Sequence, residues 1–273
     1  MVAHSLNSLR AALPSGVELV AVSKFHPVSR LMEAYDAGQR IFAESRPQEL
    51  ASKVPLMPAD VCWHFIGHLQ TNKLKLVLPY VSLVQSVDSL HLLQAISDWG
   101  VANGRVVDVL LELHLGAEET KQGFTESEIM HFCEEGIGSP TVASRPLPLT
   151  ASAGPSLLSG RGWPEVFEPT PSPQKDCNSE LVCHSERSEE SISFKGVRIR
   201  GLMGMATNTD DMSVVEKDFE RIEALFRRIR TKYPELTAFD QLSIGMSGDW
   251  PIAVKHGATM VRIGTDIFGP REY

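Results

Sequence analysis

Short apolar runs and helix-like stretches alternate along most of this 273-residue chain, and few architectures accept that order. The strand-like runs are Val17–Ser23, Arg40–Ala43, Trp63–Ile66, Leu83–Val87, Val106–His114, Arg198–Met203, Gln241–Ile244 and Met260–Ile263. Between them lie helical patterns. Pro27–Gly38 begins on a proline and stops at a glycine. Asp88–Gly100 opens on an acidic cap and ends on Gly100. Ser213–Tyr233 carries Val214, Val215, Phe219, Ile222, Leu225, Phe226 and Ile229 at helical spacing. Eight strands in strict alternation predict an α/β fold, a (β/α)8 TIM barrel. An open doubly wound sheet is the alternative, but no GxGxxG follows the first strand to support a dinucleotide-binding version.

One stretch breaks the alternation. Ser139–Lys195 holds 8 of the 17 prolines and 11 serines, and only 17 of its 57 residues are hydrophobic, about 30% against 42% overall. It buries too little apolar surface to offset its ordering entropy. It therefore reads as a largely irregular insertion before the sixth strand, within one domain spanning residues 1–273. Taking those 57 residues from 273 leaves 216, an ordinary barrel length.

The charge balance of 26 basic against 34 acidic residues, net −8, argues against general nucleic-acid binding. It does not exclude a small anionic ligand in a locally positive site. Cys62, Cys133, Cys177 and Cys183 show no CxxC spacing, so neither a disulfide framework nor a zinc site is expected. MVAHSLNSLR lacks a long apolar leader, and no run of apolar residues is long enough to cross a membrane, so a cytoplasmic location is expected.

Barrel chemistry sits where strands end. Lys24 closes the run Leu19–Ser23. Desolvation there favours a neutral amine able to condense with an aldehyde, although a lysine at a strand end can also simply reach for solvent. Ser247-Gly248-Asp249 and Gly264-Thr265 follow the last two strands. Loops at those two places often hold a phosphate, and they also serve as plain turns and caps. Arg262 lies between Val261 and Ile263 in an apolar strand and faces the opposite side. It needs a partner, either a carboxylate or a ligand acceptor such as a ring nitrogen. His64 and His68 are four apart, but the first lies on a predicted strand and no HExxH is present, so a metal pair is not expected.

Read together, AVSKFHP, IFAESRPQEL, WHFIGHLQTNK, KQGF, GLMGMATNTDD, LSIGMSGDW and VRIGTDIFG resemble the pyridoxal phosphate homeostasis protein family. They run in family order from about Val17 to Phe268 and leave out only the insertion and the extreme ends. The resemblance implies a fold similar to the barrel domain of alanine racemase and pyridoxal 5′-phosphate (PLP) as cofactor. It implies that Lys24 carries PLP as an imine, that Ser247, Gly264 and Thr265 hold its phosphate, and that Arg262 faces the pyridine nitrogen. It also implies a PLP-homeostasis role without established catalysis, with PLP and the amino acids or apo-enzymes that receive it as partners. A monomer is expected. A PLP-dependent, racemase-like enzyme is the alternative. Two departures stand out: the family's Gly-Glu-Asn after the second strand reads Ala43-Glu44-Ser45, which removes an amide, and the insertion is foreign to the family.

Overall fold

The computed structural model describes residues 2–116, 123–136 and 194–270. The strands are β1 (Glu18–Val22), β2 (Ile41–Glu44), β3 (Cys62–Phe65), β4 (Val81–Val87), β5 (Val107–Leu113), β6 (Val197–Gly204), β7 (Gln241–Ser243) and β8 (Met260–Ile263). They pair in parallel in chain order and close into a barrel, β8 returning to β1 with Val20 opposite Arg262. Helix α1 (Val2–Ala12) precedes the first strand. Each strand is then followed by a helix: α2 (Val28–Asp36), α3 (Pro47–Lys53), α4 (Leu74–Val77), α5 (Leu90–Ala102), α6 (Glu126–Gly136), α7 (Met212–Lys232), α8 (Trp250–Lys255) and α9 (Thr265–Phe268). This is the (β/α)8 barrel that the alternation predicts, with strand ends shifted by one or two residues.

Strand alternation divides the core in two. Val20, Ala43, Leu83, Leu110, Met203 and Met260 pack inside the barrel. Leu19, Ala21, Phe42, Phe65, Val261 and Ile263 point outward into the larger core beneath the helices. Helix α7 buries Phe219, Ile222, Phe226 and Ile229 there, each contributing about 1.5–3 kcal/mol of transfer free energy.

Two helix ends differ from expectation. Ser89, not Asp88, caps α5: its hydroxyl accepts from the Leu92 N–H, while Asp88 accepts from Ser89 and pairs with His68. Gly100 does not end α5, which continues to Ala102. A Cβ at Gly100 would lie 2.4 Å from the Gly196 carbonyl oxygen, so this glycine admits the close approach of β6's lead-in rather than a stop.

The expected insertion, Ser139–Lys195, lies outside the described residues except for Phe194 and Lys195. Phe194 sets its ring 5.2 Å from Phe132 of α6. Among the described residues no helix is long and apolar enough to cross a membrane.

Candidate functional site

A cavity of about 220 Å³ opens at the strand exits. Lys24, Ser247, Arg262, Gly264 and Thr265, the five residues singled out from sequence, all line it. They come from the ends of β1, β7 and β8. Sequence reasoning missed the apolar wall, made by Ile66 and the three methionines Met203, Met205 and Met246. Their signal was available: Ile66 and Met205 follow β3 and β6 directly.

Arg262 stands on the inner face of β8 and is 4% exposed. Its guanidinium donates to the Ser243 carbonyl (2.8 Å), the Ser243 hydroxyl (2.6 Å) and the Gly204 carbonyl (2.8 Å). Those bonds engage three of its five N–H groups and leave donor capacity in a group that lines the cavity. Burial pushes its pKa down to about 10, so it stays charged at neutral pH, with Glu112 and Asp249 favouring the charge. Of the two partners left open by the sequence, backbone and hydroxyl oxygens take the place of a directly paired carboxylate.

The arginine also sets the direction of a hydrogen-bond chain across the barrel. Because the guanidinium can only donate, Ser243 accepts from it and donates onward to Gln85 Oε1 (2.7 Å). The Gln85 amide then meets His64 Nδ1 at 2.9 Å, which makes His64 the acceptor and neutral. Burial agrees, pushing the His64 pKa down to about 4. His64 is thus an interior structural residue, whereas His68 is exposed and pairs with Asp88. Among the described residues no cluster of His, Cys, Asp and Glu is placed to hold a metal ion.

Glu112 and His64 shift stability in opposite directions. Burial, with Asp88 adding to it, raises the Glu112 pKa from 4.5 to about 7. Between those values the fold keeps a proton that the unfolded chain releases, so stability falls as pH rises. His64 does the reverse: between about 4 and 6.5 the unfolded chain binds a proton that the fold refuses, so stability rises with pH. Each contributes up to about 3 kcal/mol. Glu112→Gln is expected to remove the falling part. Its melting temperature should climb more steeply than wild type from pH 4.5 to 6.5 and then level off. Parallel curves for the two proteins would contradict this.

The two terminal loops have the geometry of a cradle. Gly245 sits at φ +94, and a Cβ there would come within 2.6 Å of Ala253 Cβ. The Asp249 carboxylate accepts from the Met246 N–H and closes the turn that presents Ser247. Gly264 lies against β1, where a Cβ would meet the Val22 carbonyl oxygen at 3.2 Å. Above Gly248 the space is open, with nothing within 4 Å of a Cβ position.

Lys24 leaves β1 through a strained turn. Phe25 adopts φ +68, a left-handed conformation that costs a bulky residue about 1–2 kcal/mol. Its N–H donates to Glu49 Oε1 (2.6 Å), and the Arg46 guanidinium lies 4.4 Å from its ring centroid. Lys53 donates to Glu49 Oε1 (2.7 Å), to Glu44 Oε1 (2.8 Å) and to the Ser23 carbonyl (2.8 Å). Ser23 Oγ donates to Glu44 Oε1 at 2.6 Å. Burial raises the Glu44 pKa against the pull of Lys53 and Ser23. Ala43 and Ser45 are not among the residues lining the cavity.

A second cavity, of about 210 Å³, is lined in part by Asp88 and Glu128 and shares no lining residue with the first. Its carboxylates make it a poor phosphate site.

Residues 1–145 match the family model of the alanine racemase N-terminal domain. The pyridoxal phosphate homeostasis protein of Vibrio alginolyticus is 31% identical over 265 residues, covering 95% of this chain and 89% of that protein. The chain belongs to the pyridoxal phosphate homeostasis protein family. The family member of Schizosaccharomyces pombe is likewise 31% identical, over 93% of this chain and 84% of its own. In three dimensions the chain is similar to PipY of Synechococcus elongatus, with 28% identity, a TM-score of 0.72, and coverage of 98% of this chain and all of that one. PipY has also been solved with PLP bound, at a TM-score of 0.70 to this chain. Alanine racemase of Clostridium difficile shares the fold at 12% identity and a TM-score of 0.61.

Proposed function

We propose that this protein binds PLP in the cavity at the strand exits and serves PLP homeostasis, holding the cofactor for delivery to amines or apo-enzymes. The carrying observation is the convergence of Lys24, Arg262, Ser247, Gly264 and Thr265 on one cavity. PLP binding by the similar PipY supports the reading.

The residues fit the ligand. The buried Arg262 brings spare donors to a cavity that otherwise has an apolar wall, which suits an aromatic ring carrying one acceptor nitrogen. The Ser247 and Thr265 hydroxyls and the glycine-lined loops suit a phosphate. When bound, PLP supplies an aldehyde that condenses reversibly with primary amines. Lys24 is the amine the cavity offers. Arg262 disfavours a second positive charge beside it, which keeps a ring nitrogen there unprotonated and weakens the ring as an electron sink. That favours a holding role over turnover.

The phosphate assignment has a direct test. The double variant Ser247→Ala, Thr265→Val is expected to lose about a hundredfold to ten-thousandfold in affinity for PLP, from two hydrogen bonds to a charged group. Its affinity for pyridoxal, which lacks the phosphate, should not change. Equal losses for both ligands, measured by titration, would refute the assignment.

A further inference from the structure

We propose that Glu49 and Lys53 of α3, with the buried Glu44 of β2, are positioning residues for Lys24. They fix the backbone on both sides of that lysine and so set where its amine stands in the cavity. The proposal rests on the PLP-binding reading and deepens it.

The geometry brackets Lys24. On one side its neighbour Ser23 is held twice, its carbonyl by Lys53 and its hydroxyl by Glu44. On the other side the Phe25 N–H is held by Glu49. All three Lys53 ammonium protons are used, so a single buried cation ties both carboxylates to the exit of β1. Helix α3 follows the neighbouring strand β2, so a rigid element holds the turn in place of a mobile loop.

Stability alone does not account for this arrangement. Glu44 is fully buried and Lys53 nearly so. Burying such a pair costs desolvation that the attraction barely repays. Among the described residues Glu44 Oε2 has no hydrogen-bond partner, a further cost. Phe25 is kept in a left-handed conformation that it would not choose by itself. Unsatisfied and strained groups of this kind concentrate where a site must be held in one geometry. Here they surround one functional lysine.

The full-length protein serves for the test, with Glu49 as the target because its side chain is 18% exposed and its loss should not prevent folding. One probe is PLP: amine and aldehyde condense with loss of water, borohydride then adds hydride to the C=N bond, and a stable secondary amine remains. The other probe is pyridoxine 5′-phosphate, which has no aldehyde and reports only on the hold of ring and phosphate. Glu49→Ala is expected to slow trapping on Lys24 by about tenfold to a hundredfold, the cost of a small misplacement. Its affinity for pyridoxine 5′-phosphate should stay unchanged. Glu49→Gln keeps an acceptor for the Phe25 N–H and should recover most of the rate. A Glu49→Ala protein that traps at the wild-type rate, or that loses both probes equally, overturns the proposal. Wild-type protein that fails to trap PLP on Lys24 overturns the PLP-binding reading and this one with it.

Discussion

Lys24→Ala is expected to abolish covalent capture of PLP while leaving the barrel folded. The residue is half-buried on the cavity wall at the end of β1, and the interior packing of Val20 with Ala43 and Met203 does not depend on it. Truncation should therefore change stability by no more than about 1 kcal/mol. The proposed ring and phosphate partners, Arg262, Ser247 and Thr265, are untouched, so PLP should still bind weakly, but without the visible absorbance that follows condensation with an amine. Spectra of wild type and variant after PLP addition check this. A visible band of full intensity in the variant would assign the capture to another lysine.

Arg262→Met should damage both the fold and the site. The substitution removes the donors to two buried carbonyl oxygens, at Ser243 and Gly204, and to the Ser243 hydroxyl. Each orphaned acceptor costs about 1–3 kcal/mol, partly offset because a costly buried charge also goes. A net loss of about 2–4 kcal/mol would lower the melting temperature by about 5–15 °C in a barrel of this size. PLP affinity should fall as well, with the larger loss in ligands that retain the ring nitrogen. A variant with wild-type melting and wild-type affinity would remove Arg262 from both roles. Wild-type protein incubated with alanine in deuterium oxide is expected to leave the α-proton in place, since a guanidinium held beside the ring nitrogen would weaken the ring as an electron sink; exchange of that proton would contradict the proposed holding role.

Much of the molecule was legible in the chain because its signals are local. Strand alternation placed Arg262 on the face opposite Val261 and Ile263, and the structure has it there. Lys24 and the two glycine-bearing loops stand out in the sequence because they break apolar strands at their C-terminal ends. Other features depend on tertiary distance, which no local pattern carries. Gly100 looks like a helix stop until the Gly196 backbone is found against it. The Ser243–Gln85–His64 chain joins three strands, and its only sequence sign was polar residues inside apolar runs. The Glu49–Lys53 pair had the i, i+4 spacing of an ordinary surface ion pair. Only the fold shows that both residues turn inward onto the exit of β1.

The most direct test of the account is peptide mapping by mass spectrometry after PLP loading and borohydride reduction. One modified residue is expected, Lys24, in about one copy per chain, with Lys53 untouched because its ammonium is fully engaged. Modification spread over surface lysines, or centred on any lysine other than Lys24, would contradict it.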